Sequence, residues 1–342
     1  MPIHLALQTL LEKNDLDAEL MTAAMKQIMT GQATPAQIGG FLVALRMKGE
    51  TVTEITAAAK VMRELATPVN IDLPNLVDTC GTGGDSSGVF NVSTASAFVV
   101  AAAGGKVAKH GNRSISSKSG SADLLEAAGV NLDLTPEQVA RCVRELGVGF
   151  MFAVKHHGAM KHAIGPRREL GVRTIFNVLG PLTNPAGAPN QVMGVFSKTL
   201  LRPIAEVLSN LGSQHVLVVH SHDGMDEISL CAPTDVVELN KGKITEYTLQ
   251  PEDFGFERCP LNALQVDSVE ASLAKVEEAL TNSHSKAADM VALNAGAAIF
   301  AANIASSLAE GVAMAQDIIG TKLAWAKLKD LAALTQQCHD ID

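Results

Sequence analysis

Leu76-Val77-Asp78-Thr79, then Gly81-Thr82-Gly83-Gly84-Asp85, then an apolar stretch over residues 94–103 closed by Gly104-Gly105, read as strand, loop and helix. That order repeats. Val107-Ala108 begins a second strand, and Lys109-His110-Gly111-Asn112-Arg113-Ser114-Ile115-Ser116-Ser117-Lys118-Ser119-Gly120-Ser121 leads into a helix ending at Gly129. Thr135-Pro136 with Gln138 supplies an N-cap, a Pro at the first helical position and a capping-box side chain. Residues 148–152, 192–196 and 215–219 read as three more strands, with a helix over 200–211. Such alternation predicts an α/β protein with a mostly parallel sheet and helices on both faces. Residues 236–239 and 244–247, joined by Asn240-Lys241-Gly242, read as a β-hairpin. From about residue 268 the pattern returns to Ala-rich helix.

Upstream, residues 1–66 read as all helix. Asp15 is placed to cap one helix, Thr34-Pro35 to begin another, and Thr51 or Thr53 to cap a third ending near Leu65. Ile38, Phe41, Leu42 and Leu45 follow i, i+3, i+4, i+7 spacing and so share a face. Met21, Met25 and Met29 form an i, i+4, i+8 stripe; core packing is the plainer reading, an oligomer contact the sharper one. Thr67-Pro68-Val69-Asn70 and Pro74 mark a linker. Residues 159–170 read as a helix. Phe176-Asn177-Val178-Leu179-Gly180-Pro181-Leu182-Thr183-Asn184-Pro185 looks too rich in Gly, Pro and Asn for regular structure. The expected division is therefore a small helical domain over 1–70, with a contribution from about 165–190, and a large α/β domain over 71–342.

The 342 residues are enough for a large core, and 47% hydrophobic with 4% aromatic residues favours helix-rich packing over an all-β barrel. Net charge is −9, a poor match for general nucleic-acid binding. The five cysteines lie far apart without C-x-x-C, so neither zinc nor a disulfide framework is expected, and a reducing cytoplasm is the default. Met1-Pro2-Ile3-His4 does not read as a signal peptide. The apolar run over 95–105 is about half of the roughly 20 residues that a membrane span needs.

Ligands of open parallel sheets bind beyond the carboxyl ends of the strands, where both glycine-containing segments fall. Gly81, Gly83 and Gly84 let backbone N–H groups approach an anion. The segment is neither a P-loop nor a G-x-G-x-x-G fingerprint, and a short Gly cluster alone also suits a turn that binds nothing. Ser93 or Thr94 is placed to cap the following helix, leaving Asn91 and a hydroxyl for a ligand. The second loop carries Lys109, Arg113 and Lys118 with five serines and no acid, a phosphate site more than a solvated basic loop. Asp226 and Glu227, in Gly224-Met225-Asp226-Glu227 beyond a strand end, suit Mg²⁺, which takes few carboxylates and completes its shell with water and phosphates. His156 and His157 are adjacent on a helix and do not face one ligand; one lines a pocket and the other is structural. His220 and His222 receive no role.

These segments, in order along nearly the whole chain, resemble anthranilate phosphoribosyltransferases; the blocks at 109–121 and 176–185 are the most specific. The resemblance implies a nucleoside phosphorylase/phosphoribosyltransferase-like fold and transfer of the phosphoribosyl group of phosphoribosyl pyrophosphate (PRPP) to the amine of anthranilate, in tryptophan biosynthesis. It implies PRPP contacts from Gly81, Gly84, Asp85, Val89, Asn91, Val92, Ser93 and Thr94. It adds Lys109, His110, Gly111, Asn112, Arg113, Ser114, Ile115, Ser116, Ser117 and Ser121. It implies anthranilate contacts from Gly81, Asn112, His156 and Arg167, with His110 near the acceptor as an optional proton acceptor. Charge alone leaves Arg168 competing with Arg167. Two Mg²⁺ would be held by Ser93, Asp226 and Glu227. A homodimer through the helical domain is also implied, with no nucleic-acid or membrane partner. Val89 stands where family members usually carry Ser or Thr, so one hydroxyl contact to PRPP is missing. A pyrimidine nucleoside phosphorylase shares the fold, but its signature is not seen; a non-catalytic phosphate or nucleic-acid binder fits the charge poorly.

Overall fold

The structure, a computed structural model, describes residues 1–85, 87–114 and 118–338. Four helices come first: α1 (Pro2–Leu11), α2 (Ala18–Met29), α3 (Pro35–Lys48) and α4 (Val52–Leu65). Thr34 with Gln37, and Thr51 with Glu54, close capping boxes that satisfy the first amides of α3 and α4. The cap of α2 is Asp17, whose carboxylate accepts from Leu20 N–H; Asp15, expected there, instead pairs with Lys48 at 2.7 Å. Met21, Met25 and Met29 are all buried core side chains.

The second part alternates as expected: β1 (Leu76–Gly81), α5 (Val92–Ala102), β2 (Lys106–Gly111), α6 (Ser121–Ala127), α7 (Pro136–Leu146) and β3 (Val148–Phe152). Then come α8 (Ala153–His156), α9 (Lys161–Leu170), α10 (Phe176–Leu179), β4 (Asn190–Gly194), α11 (Leu201–Asn210) and β5 (His215–Ser221). The hairpin is β6 (Thr234–Asn240) with β7 (Lys243–Leu249), and the tail is α12 (Val269–Thr281), α13 (Lys286–Ala301), α14 (Leu308–Thr321) and α15 (Leu323–Gln337). Two details differ from the sequence reading. The N-cap of α5 is Asn91 without a side-chain bond, so neither Ser93 nor Thr94 caps it. The block 176–185 opens with one helical turn, α10, because Asn177 Oδ1 accepts from Thr174 N–H and starts it.

Among the described residues the sheet has strand order β3-β2-β1-β4-β5-β6-β7, parallel through β5 and antiparallel beyond. Chain order reverses between β1 and β4, which makes their carboxyl ends the topological switch point. Side chains alternate across the sheet. Val192, Leu217, Val219 and Val236 face a core shared with α5, α12 and α13. Met193, Val216, Val218, Val237 and Leu239 face a second core that continues without a break into α1–α4, α10 and α11. The helical bundle is thus packed onto one sheet face through α10 and α11, with residues 163–182 as part of the join.

Glu54 is fully buried under the bundle. Its carboxylate accepts from the N–H groups of Leu16 and Thr51 and pairs with Lys48 at 2.9 Å. Removing one member of such a pair strands the other. Glu54→Ala is expected to lower stability by about 3–5 kcal/mol in urea denaturation, and Lys48→Met in that background to recover part of the loss.

Candidate functional site

β1, β2 and β4 all end on glycine: Gly81, Gly111 and Gly194. A Cβ on Gly81 or Gly194 would collide with Asp226, and one on Gly111 with Ser121 Oγ. The strand ends are bare because the Asp226 loop and the start of α6 lie directly on them. Gly83 (φ 65°) and Gly84 (φ 74°) take left-handed conformations, which lets Gly83 N–H donate to Asp226 Oδ2 at 2.7 Å. Thr82 Oγ1 accepts from Phe196 N–H at 3.0 Å. Arg173, missed in the sequence, lies 4.3 Å over the Phe196 ring and donates to the Gly84 carbonyl, while its own carbonyl accepts from Arg46 on α3.

Three carboxylates crowd this corner. Burial, then the neighbouring Asp85, pushes Asp226 up to about 7. Burial and Asp226 hold Glu227 well above the usual carboxylate range, against the pull of Lys109; Glu227 also accepts from Ser93 N–H at the start of α5. Lys109 is itself buried: its ammonium donates to the Thr79 carbonyl and to Ser93 Oγ, and burial lowers its pKa against Asp78. One cation thus faces more acid than it can neutralise. Among the described residues no group of three His, Cys, Asp or Glu closes on one point. That donor set suits a hard cation completed by water and substrate phosphates.

The basic loop is less open than its composition suggests. Arg113 forms ion pairs with Asp123 at 3.1 Å and Glu126 at 2.8 Å on α6, and Asp123 also accepts from Ser114 and Gly120 N–H. The carboxylates just past the loop, not read as its counterions, hold it. Asn91 Oδ1 accepts from the Ser119 and Ser272 hydroxyls. Asn112 is exposed and its Oδ1 accepts from Arg113 N–H. Ser121 Oγ donates to the Asn112 carbonyl. Val92 and Thr94 are each 1% exposed and face the core. Val89 is half-buried, bridged to Gln265. Ile115, Ser116 and Ser117 lie outside the described residues.

On the other sheet face, His110 meets His157, their rings 5.1 Å apart and edge to face. Each ring bonds a carbonyl of the 176–185 block, His110 that of Gly180 and His157 that of Thr183, and both Nε2 atoms are buried without a partner among the described residues. Desolvation, reinforced by the neighbouring imidazoles, lowers His110 to about 3 and His157 to about 4. His156 turns the other way, its Nδ1 against the Thr67 carbonyl at 3.0 Å. Arg167 is half-buried with its guanidinium 5.1 Å over Phe176, and Arg168 is exposed. Asp78 and Asn184, also missed, sit buried between β1 and β2; the signal for Asp78 is an acid inside an apolar strand.

Residues 5–66 match a family model described as the glycosyl transferase family, helical bundle domain, and residues 73–324 one described as the glycosyl transferase family, a/b domain. The chain is 66% identical to anthranilate phosphoribosyltransferase of Hahella chejuensis over 98% of each chain. It is 64% identical to that of Cellvibrio japonicus, over 98% of this chain and 99% of the relative. Among solved structures it is similar to the Thermus thermophilus enzyme (TM-score 0.91, 45% identity, 97% and 99% covered). It is also similar to the Saccharomyces cerevisiae enzyme in complex with PRPP and Mg (TM-score 0.89, 25% identity, 98% of each).

Both imidazoles stay neutral in the fold but take up protons on unfolding below their ordinary value near 6.5. Their contribution is therefore complete above pH 6.5 and is lost as pH falls toward 4 and 3. Stability is expected to drop by about 2 kcal/mol per imidazole between pH 7 and 5. His110→Asn should remove about half of that slope in denaturant titrations at the two pH values.

Proposed function

This chain belongs to the anthranilate phosphoribosyltransferase family and transfers the phosphoribosyl group of PRPP to the amine of anthranilate; we propose that its residues do so in two groups, one on each face of the sheet. The products are N-(5-phosphoribosyl)anthranilate and pyrophosphate, a step of tryptophan biosynthesis. The observation that carries the division is the pairing of an acid-rich, glycine-lined corner with an unpartnered neutral His110–His157 pair across β1 and β2.

The donor group comprises Gly81, Gly84, Asp85, the start of α5 from Asn91, and the Lys109–Ser117 loop with Ser121. Backbone amides approach phosphate where no Cβ intervenes, and Lys109 supplies a fixed buried charge. Val92 and Thr94, facing the core, would contribute only main chain. Arg113 would reach PRPP only by leaving Asp123 and Glu126. Magnesium would be held by Asp226 and Glu227 with Ser93, and would supply positive charge to offset the negative charge gathering on the departing pyrophosphate. Two ions per site are proposed because Asp85, Asp226 and Glu227 interact with one another and carry more negative charge than Lys109 alone offsets.

The acceptor group is Asn112, Arg167, His110 and His157, with Gly81 alongside; His157 replaces His156, whose ring is tied to Thr67. Arg167 pairs with the anthranilate carboxylate. The arylamine is uncharged at neutral pH, so its lone pair needs no base. It forms the bond to ribose C1 as the C1–oxygen bond breaks, pyrophosphate leaves with the electron pair, and the nitrogen then sheds one proton. His110, kept neutral by burial, offers Nε2 as an acceptor that orients the amine. Catalysis rests on positioning and electrostatics.

A homodimer through the helical domain is part of the proposal, supported by the exposed Leu5, Leu11, Met47 and Ile164. So are the division into 1–70 and 71–342, supported by the boundary of the two family matches, and a cytoplasmic location with no nucleic-acid partner, supported by cysteine spacing and charge. No helix among the described residues is long and apolar enough to cross a membrane.

Anthranilate fluorescence should fall on mixing with PRPP and Mg²⁺ and stay constant with EDTA. Asp226→Asn should lower kcat at saturating PRPP at least about a hundredfold, and unchanged kcat would remove the carboxylate from the metal site. Val89→Thr returns the missing hydroxyl. It should lower the PRPP KM about three- to tenfold, and an unchanged KM would show that position 89 does not touch PRPP.

A further inference from the structure

β1 and β2 are adjacent parallel strands, yet they are in register only at Leu76 with Lys106 and Val77 with Val107. Each runs on for five pairs with its other neighbour, β1 with β4 and β2 with β3. Beyond Val77 and Val107 the strands stay side by side but the regular ladder stops, and its main-chain groups need other partners. Side chains provide them. Asp78 Oδ1 accepts from His110 N–H at 3.1 Å, in place of a β1 carbonyl. Asn184 Nδ2 donates to Asp78 Oδ2 at 2.8 Å and to the Ala108 carbonyl at 2.9 Å. Asn184 Oδ1 accepts from Ala186 N–H at 2.9 Å, which fixes the amide's orientation. Asp78 is 0% and Asn184 6% exposed.

We propose that Asp78 and Asn184 are positioning residues for the transfer reaction: they form a side-chain wedge, set where the β1–β2 ladder stops, that fixes where His110 stands. The wedge sits at the hinge of everything on the acceptor side. His110 is held by its N–H on Asp78 and by its ring on the Gly180 carbonyl; Asn184 holds the far end of that same block, and the His157 ring bonds Thr183 beside it. Gln191 Nε2 pins the block in the middle, donating to the Pro181 carbonyl at 2.8 Å. Without the wedge, the 180–184 carbonyls and His110 lose their common reference while the Asp226 corner keeps its own. The effect therefore falls on the acceptor, not on PRPP.

The proposal rests on the acceptor pocket placed at His110 and His157, and the test separates the two. Asn184→Ala, Asp78→Asn, the double exchange Asp78→Asn with Asn184→Asp, and His110→Ala would be compared for kcat and both KM values. Asn184→Ala and Asp78→Asn are expected to raise the anthranilate KM about tenfold and leave the PRPP KM within about threefold. The double exchange restores a donor facing an acceptor and keeps one for His110 N–H, so it should recover part of the loss. Equal KM values, with kcat reduced only by the folded fraction, would overturn the wedge. So would a double exchange worse than either single change. If His110→Ala raises the anthranilate KM and the wedge variants do not, the wedge alone fails; if none of them does, the pocket assignment fails with it. Should Asn184→Ala not fold, Asn184→Ser, which keeps a hydroxyl donor, reads the same KM ratio.

Discussion

A hydrogen-bond ladder that stops between two adjacent strands is the constraint on which this molecule depends. A parallel sheet offers its carboxyl ends to ligands most readily where chain order reverses, between β1 and β4. Here a break in the hydrogen-bond ladder, between β1 and β2, adjoins that point. Lys109 and His110 are consecutive on β2 and so point to opposite faces. One reaches Thr79 and Ser93 beneath the carboxylates; the other meets His157 and the Gly180 carbonyl. A donor and an acceptor can then approach one point from the two sides of a single strand end.

The electrostatics of the faces differ as sharply. On one, Asp85, Asp226 and Glu227 are held against a single buried ammonium, an arrangement that destabilises the empty protein and favours a divalent cation with phosphate. On the other, burial strips the imidazoles of charge, which leaves lone pairs in place of cations. Pyrophosphate departure needs positive charge; an uncharged arylamine needs an oriented acceptor and no cation beside its nitrogen. The net charge of −9 does not oppose phosphate binding, because field at the site comes from Lys109 and backbone amides a few ångström away, whereas distant surface charge is screened.

Much of this is legible in the residues. β3 can be read to its end residues, the hairpin to within a residue or two, and the capping boxes of α3, α4 and α7 from Thr with a Gln or Glu three positions on. Local chemistry decides such elements. What is not legible depends on contacts far apart in sequence. Asp17 and Asp15 are equally good caps locally, and Lys48, 33 residues away, takes the latter. Arg113 reads as a phosphate ligand, and its ion pairs with Asp123 and Glu126 of α6 are not read alongside it. Among His156 and His157, and again Arg167 and Arg168, helix geometry says that one of two neighbours faces in but not which. Asn184 is visible within a quoted block; its partner Asp78 lies 106 residues away, and only the stopped ladder between β1 and β2 explains either.

The same logic explains why the helical bundle is no detachable appendage. Its core runs into α10 and α11 and the second sheet face, and Arg63 of α4 donates to the Leu182 and Leu211 carbonyls across the join, so the segment that bears Gly180 and Thr183 folds as part of that core. Its other tie is Arg173, which accepts from Arg46 on α3, stacks on Phe196 and donates to Gly84. Phe196 in turn donates to Thr82. The block bearing Gly180 and Thr183 is therefore fixed by apolar packing together with buried hydrogen bonds from Gln191 and Asn184. The phosphate loop is fixed by a short chain of hydrogen bonds to exposed or half-buried groups, which can exchange partners at little cost. On the proposed division, an anion arriving at Gly81–Asp85 would meet the more adaptable of the two attachments, and anthranilate the more rigid.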